Sequence, residues 1–83
     1  MLTIKEAQKL MHQMFFKRDS ERGVYATFTW LVEEVGELAN AILNNDTENI
    51  EEEIADVIAW TLSLANLLGI DAEKAFRKKY GDV

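Results

Sequence analysis

The amino-acid sequence predicts an all-α fold, a bundle of four helices. The 83 residues contain no proline, so nothing in the composition forces a break within a helix. Apolar residues recur at intervals of three and four along most of the chain, which is the period of an amphipathic helix. Residue types that cap helices stand where this periodicity starts and stops.

A short polar segment separates the first two predicted helices. Thr3 and Glu6 have the spacing of a capping box, so helix one is expected to begin there. Its apolar face predicts that it runs to about Arg18, and the polar residues 19–23 predict a break. Helix two then covers roughly residues 25–43. Its predicted apolar stripe consists of Phe28, Leu31, Val32, Val35, Leu38, Ala39 and Ile42.

Two further helices follow after short links. Residues 44–47 are rich in capping types, which places the start of helix three at about Glu48. Its apolar pattern continues to Leu68, and Gly69 follows where a helix commonly ends. Asp71 is expected to cap a final helix through Tyr80. The predicted inward-facing residues of helix three are Ile50, Ile54, Val57, Ile58, Thr61, Leu62, Ala65 and Leu68.

The composition indicates a single small domain, residues 1–83, that associates with copies of itself. Hydrophobic residues make up 48% of the chain, which is more than so short a helical domain commonly buries alone. We therefore expect a homo-oligomer. No leader peptide is visible, and no apolar run reaches the ~20 residues that a membrane span needs. A cytoplasmic protein with no membrane partner is the expectation.

The charges are distributed unevenly along the chain. The net charge of −6 argues against binding to nucleic-acid polymers, which call for a basic surface. All nine Lys and Arg residues lie within residues 5–22 and 74–79, whereas residues 23–73 hold eleven of the fifteen acids. The central carboxylates therefore have no basic neighbours on their own helices, and a bound cation is a natural substitute.

Two pairs of carboxylates have matching spacing on consecutive helices. Glu34 and Glu37 are three residues apart on helix two, and Glu53 and Asp56 repeat that spacing on helix three. The short link makes these helices antiparallel neighbours, so the pairs can meet at their seam. Hard oxygen ligands suit Mg²⁺ or Mn²⁺, and the single histidine, His12, offers no Glu-x-x-His pair for di-iron. The competing interpretation is that these acids only belong to two solvent-exposed helix faces and bind no metal.

The chain resembles the MazG-type all-α NTP pyrophosphatases. The resemblance lies in Glu33-Glu34-x-x-Glu37, followed sixteen residues after Glu37 by Glu53-x-x-Asp56. It extends over residues 30–39 and 53–57 and, more loosely, over 76–81, and thus touches most of the chain. It implies Mg²⁺-dependent hydrolysis of a nucleoside triphosphate to the monophosphate and pyrophosphate, in a dimer or a dimer of dimers. By the same resemblance, Glu34, Glu37, Glu53 and Asp56 are metal ligands, and Glu33 is a catalytic residue that orients the water.

Four other residues are candidates for binding the nucleotide. Trp60 lies one turn after Asp56 and Trp30 one turn before Glu34, where either indole can stack on a base, although both types are common in cores and interfaces. Arg22 either binds phosphate or pairs with Asp19. Lys78 either reaches triphosphate oxygens or complements the dipole of the last helix.

Two alternatives to a general NTP pyrophosphatase remain at this point. The chain can be a non-enzymatic acidic oligomer, a scaffold or regulatory adaptor whose carboxylates keep it soluble. Within the enzyme class, it can be a narrower pyrophosphatase acting on dUTP or dCTP. Metal and nucleotide dependence separate the first alternative from the enzyme, whereas the second depends on pocket shape, which periodicity does not reveal.

Overall fold

The computed structural model describes residues 1–81, which form four α-helices and no strand. The all-α prediction is confirmed. The links between the helices are short, and none exceeds three residues. The helices are α1 (Ile4–Arg22), α2 (Val24–Leu43), α3 (Thr47–Leu68) and α4 (Ala72–Tyr80).

The first helix begins as predicted and ends later than predicted. The Glu6 amide donates to Thr3 Oγ1 at 3.0 Å, and the Thr3 amide donates to the Glu6 carboxylate at 3.0 Å, which completes the capping box. The predicted break over residues 19–23 is wrong, because α1 continues to Arg22. Only Gly23 interrupts the helices, with a φ of +93° that disfavours any residue with a side chain. The polar residues before it stay helical.

The other two links are closed by caps that the sequence indicated. Asp46 Oδ1 accepts from the Asn49 amide at 3.3 Å at the start of α3, and Asp71 Oδ1 accepts from the Lys74 amide at 3.0 Å at the start of α4. Gly69 ends α3 in the left-handed conformation. Among the described residues, no single helix is both long and apolar enough to cross a membrane; α3 and α4 meet that criterion only as a pair bent by 103°.

Helix α3 is the centre of the fold. It packs against α2 on one side and α1 on the other, whereas α4 packs against α1. Helix α1 runs antiparallel to α3, since Gln8 contacts Asn66 and Arg18 contacts Trp60 further along α1. Helix α2 therefore has α3 as its main neighbour, and this leaves much of its surface without a helix against it.

Two stripes of residues run along α2, and only one of them faces the rest of the chain. The predicted apolar stripe is divided between them, because Leu31 and Leu38 are half-buried whereas Phe28 and Val32 are 51% and 53% exposed. The inner stripe consists of Thr27, Leu31, Glu34, Leu38 and Ala41. We call the exposed one the outer stripe of α2; it consists of Tyr25, Phe28, Val32, Val35, Ala39 and Ile42.

Helix α3 shows the same division. Val57 and Trp60 are half-buried, whereas Ile54, Ile58 and Leu68 are exposed, contrary to the prediction. Among the described residues, Ala41 and Leu62 are the only fully buried apolar ones. Helix α2 packs mainly against α3, which explains why so much of its apolar surface remains open.

A side-chain network fastens α1 to the link between α3 and α4. Gln8 Nε2 donates to Asn66 Oδ1 at 3.0 Å and to the Ile70 carbonyl at 2.7 Å, and Gln8 Oε1 accepts from the Ala72 amide at 2.9 Å. Asn66 Nδ2 returns a bond to the Gln8 carbonyl at 3.1 Å. One glutamine thus satisfies polar groups of three segments.

Replacing Gln8 with leucine is expected to lower the free energy of unfolding by about 1–3 kcal/mol, because the Ala72 amide and Asn66 lose their partners. Gln13→Leu is the matched control, since Gln13 is exposed on the same helix. Urea denaturation of both variants and the unmodified protein measures the difference. Equal stabilities of the two variants would contradict the role given to Gln8.

Candidate metal centre

Three of the predicted carboxylates meet at the seam between α2 and α3. One oxygen from each of Glu34, Glu53 and Asp56 lies within 4.8 Å of the others. Glu34 occupies the inner stripe of α2, where Leu31 and Leu38 flank it at apolar positions. The sequence therefore places acids where two packed helices normally place apolar residues. We call these three residues the carboxylate group.

The carboxylate group contains two buried oxygens that are unpaired when all three acids are charged. They are Glu34 Oε2 and Glu53 Oε2. Burial of an unpaired carboxylate oxygen is costly, and it is relieved either by a proton that Glu34 shares with Glu53 or by a bound cation. A hard divalent cation such as Mg²⁺ or Mn²⁺ matches this donor set, with all three residues as its ligands.

Crowding of these acids changes the protonation of Glu34. Burial raises its pKa to about 8, and the neighbouring Glu53 and Asp56 carboxylates add to the rise. A metal ion at the group would reverse this effect, because it favours the charged form. Metal binding and proton release are therefore coupled at this seam.

In the metal-free protein, the free energy of unfolding is expected to fall as the pH rises from about 4.5 to about 8. The folded chain holds the Glu34 proton more tightly than the unfolded chain, whose pKa is 4.5, so this stabilisation is complete below the window and lost above it. Thermal unfolding in EDTA across this range measures the slope. Glu34→Gln should flatten it, whereas Glu51→Gln, at an exposed position of α3, should leave it unchanged.

The remaining two predicted acids lie beside the carboxylate group. Glu37 is exposed and is not among its three members. It lines a polar cavity of about 150 Å³ that reaches Glu53 on one side and the α2–α3 link on the other. Glu33 is exposed next to Glu34. Both are therefore close to the group without belonging to it.

The two tryptophans stack on each other one turn from the carboxylate group. The ring centroids of Trp30 and Trp60 are 6.3 Å apart, and their planes differ by 16°. The Arg22 guanidinium lies 5.8 Å from the Trp30 centroid and 5.1 Å from that of Trp60. Arg22 Nη1 is buried without a hydrogen-bond partner. The structure thus brings three of the four predicted nucleotide-binding residues together.

Lys78 is the predicted nucleotide-binding residue that lies apart from the other three within one chain. It lies on α4 and lines a separate charged pocket with Lys5 and Glu73. Conversely, the sequence analysis assigned no role to Arg18, whose guanidinium lies 5.2 Å from the Trp60 centroid and is bound to Asp19. Its spacing of one turn from Arg22 was the available signal, and the predicted helix end at Arg18 concealed it.

Comparison with known proteins identifies the family of the chain. Residues 22–81 match the family model described as the MazG nucleotide pyrophosphohydrolase domain. A dATP/dGTP diphosphohydrolase of Cyanophage S-2L is 34% identical over 77 residues, which cover 93% of this chain and 70% of the relative. The match includes the segments that carry the carboxylate group, the two tryptophans and Arg22.

The chain belongs to the MazG nucleotide pyrophosphohydrolase family. The resemblance noted from the two acidic motifs is thereby confirmed. So is the expectation of an enzyme, a nucleoside triphosphate pyrophosphohydrolase, over that of an acidic scaffold.

Proposed function

We propose that this protein uses Mg²⁺ to hydrolyse nucleoside or deoxynucleoside triphosphates to the monophosphate and pyrophosphate, as a housekeeping enzyme of the nucleotide pool. The observation that carries the proposal is the pair of buried, unpartnered oxygens on Glu34 and Glu53. They lie one turn along the seam from the stacked tryptophans, so a cation site adjoins a surface suited to a base. A nucleoside triphosphate uses both features, because its phosphates contact the cation and its base contacts the tryptophans.

The reaction is attack of water on the α-phosphorus. The water oxygen forms a bond to phosphorus, the bond from phosphorus to the α–β bridging oxygen breaks, and pyrophosphate leaves with that electron pair. A bound divalent cation supplies charge neutralisation for the triphosphate and acidifies water. Glu34, Glu53 and Asp56 hold the cation, and Glu37 completes its ligands from the edge of the group.

Glu33 orients the attacking water and accepts its proton. It is exposed beside the carboxylate group, so a water at that edge lies within its reach. Its position outside the carboxylate group separates it from the three residues that hold the cation.

The nucleotide is held by Trp30, Trp60 and Arg22. Trp30 is 47% exposed and offers an open face for the base, while Arg22 carries a buried donor without a partner for a phosphate oxygen. The phage relative is named for dATP and dGTP, which favours purine deoxynucleotides as the first substrates to test. A preference for dUTP or dCTP is the competing narrower specificity.

A second copy of the chain covers the outer stripe of α2. This stripe runs from Tyr25 to Ile42, and all of its residues are exposed in the single chain. Exposed apolar surface of that length is typical of an interface between subunits. We propose a homodimer or homotetramer of one-domain chains, cytoplasmic and without nucleic-acid or membrane partners. Lys78, which is remote from its own carboxylate group, is then available to a neighbouring copy.

Product analysis after incubation with dATP, dGTP, dCTP, dUTP and the ribonucleotides tests the proposal. Each is incubated with Mg²⁺, Mn²⁺ or EDTA. Monophosphate and pyrophosphate in equal amounts, formed only with metal, support it. Diphosphate and inorganic phosphate would instead place the attack at the γ-phosphorus. If no nucleotide is hydrolysed with either metal, the proposed reaction is wrong for these substrates.

A further inference from the structure

Asp19 is a buried charge that the proposed mechanism does not use. It is 1% exposed, and among the described residues it is the only fully buried charged one. Its Oδ1 accepts two hydrogen bonds from Arg18, from Nε at 3.2 Å and from Nη2 at 3.0 Å. A buried carboxylate is tolerated when a cation pairs with it, so Asp19 and Arg18 depend on each other.

Two aromatic rings also contact the Arg18 guanidinium. Its guanidinium carbon lies 4.2 Å from the centroid of Phe15 and 5.2 Å from that of Trp60. Contacts between a guanidinium and aromatic faces add to the attraction of the carboxylate. Arg18 is therefore a neutralised cation, held against one of the two tryptophans of the nucleotide site.

Arg22 lies one helical turn further along α1 and has no such counter-charge. It contacts the same Trp60 ring at 5.1 Å, forms no ion pair with any residue from 1 to 81, and keeps a buried unpartnered Nη1. Like charges one turn apart repel each other, and Asp19 removes that repulsion by neutralising Arg18. Because α1 runs antiparallel to α3, Arg22 is also the arginine nearer to Asp56.

We propose that Asp19 is a positioning residue of the nucleotide site. By holding and neutralising Arg18 against Trp60, it fixes the tryptophan and leaves Arg22 as the cation that binds a phosphate oxygen. Arg18 and Asp19 touch neither the phosphate nor the metal. This inference rests on the proposed function, because it assigns different roles to Arg18 and Arg22 within the same nucleotide site.

A double-mutant cycle of Asp19→Asn, Arg18→Gln and the combined variant tests the inference. Asn keeps the size of Asp19 and one acceptor oxygen, but it removes the negative charge and replaces the other oxygen with an NH₂ donor. Each single variant is expected to raise KM for the nucleotide about tenfold and to change kcat less than about threefold, because the carboxylate group is untouched. The double variant should raise KM no further, since Asp19 acts through Arg18. Glu21→Gln is the control variant, because it removes one negative charge at an exposed position of the same helix.

Three results would overturn the inference. The first is a KM for Asp19→Asn that lies within about twofold of the KM for Glu21→Gln. The second is a KM for the double variant that rises about a hundredfold, because the two single effects would then multiply. The third applies if Asp19→Asn does not fold, and it is an unchanged KM for Arg18→Gln.

Failure of the proposed function would be recognised separately. If the unmodified protein hydrolyses no nucleotide, the same variants are titrated with inorganic pyrophosphate, and tryptophan fluorescence reports its binding. The same non-additive pattern in Kd supports the role of Asp19 in an anion site. Equal Kd values for all variants overturn it.

Discussion

Replacing Glu53 with glutamine is expected to lower kcat/KM by about a thousandfold or more, while the metal-free protein becomes more stable to heat. The loss of activity follows because Glu53 supplies one of the two buried oxygens that are proposed to bind the cation. The gain in stability follows because Glu53 is, after burial itself, the principal cause of the raised pKa of Glu34. Near and above pH 8, where Glu34 is charged in the folded protein, removing the Glu53 charge relieves repulsion at the seam, and a melting temperature higher by about 5 °C corresponds to roughly 1 kcal/mol.

The combination of these two effects is diagnostic. Steady-state kinetics and thermal unfolding in EDTA are measured on the same preparations, with Glu52→Gln as the control because Glu52 is exposed next to Glu53. A variant that loses both activity and stability would mean that Glu53 supports the fold rather than the chemistry. Full activity of Glu53→Gln would remove the carboxylate group from the mechanism altogether.

Introducing a charge at Phe28 is expected to break the assembly. Phe28 is 51% exposed in the single chain and lies within the outer stripe of α2. Phe28→Glu places a carboxylate where the proposed second copy packs, and aromatic residues at interfaces often dominate the binding energy. Since the isolated chain buries so few apolar residues, separation of the copies should also lower the melting temperature by about 10 °C or more.

Sedimentation velocity and thermal unfolding over a range of protein concentrations measure both effects. The melting temperature of the unmodified protein should rise with concentration, whereas that of Phe28→Glu should not. Leu2→Glu is the control, because Leu2 is 70% exposed and precedes the first helix. A monomeric unmodified protein, or an assembly that survives Phe28→Glu, would show that the outer stripe is not the interface.

Periodicity and capping were sufficient for most of the fold. The capping box at Thr3 and the glycine after Leu68 gave two helix ends without any tertiary information. The end of α1 differs from the prediction because polar residues 19–22 resemble a loop in the sequence, whereas the structure keeps them helical with Asp19 buried and bound to Arg18. Such an ion pair between adjacent residues has no signature in the periodicity.

The candidate site was predicted in type and only in part in geometry. Spacing alone places Glu34 beside Glu37 and Glu53 beside Asp56 but does not say how the two helices are rotated. The structure turns Glu34 into the seam and leaves Glu37 at its edge. Periodicity likewise identifies the apolar surface of α2, which is wider than one neighbouring helix covers, but it does not specify which half packs against α3.

The short links of this fold also constrain how its specificity can change. Gly23 alone joins α1 to α2, and three residues join each of the other pairs of helices. Many enzymes acquire new substrates by lengthening loops around an unchanged scaffold, but here every residue proposed to bind the nucleotide projects from a helix. An insertion of one residue beside Arg22 would rotate it by about 100° away from the tryptophans. Engineering or natural divergence must therefore proceed by substitution in place, which makes this a scaffold on which small libraries of side-chain changes should find altered base preference.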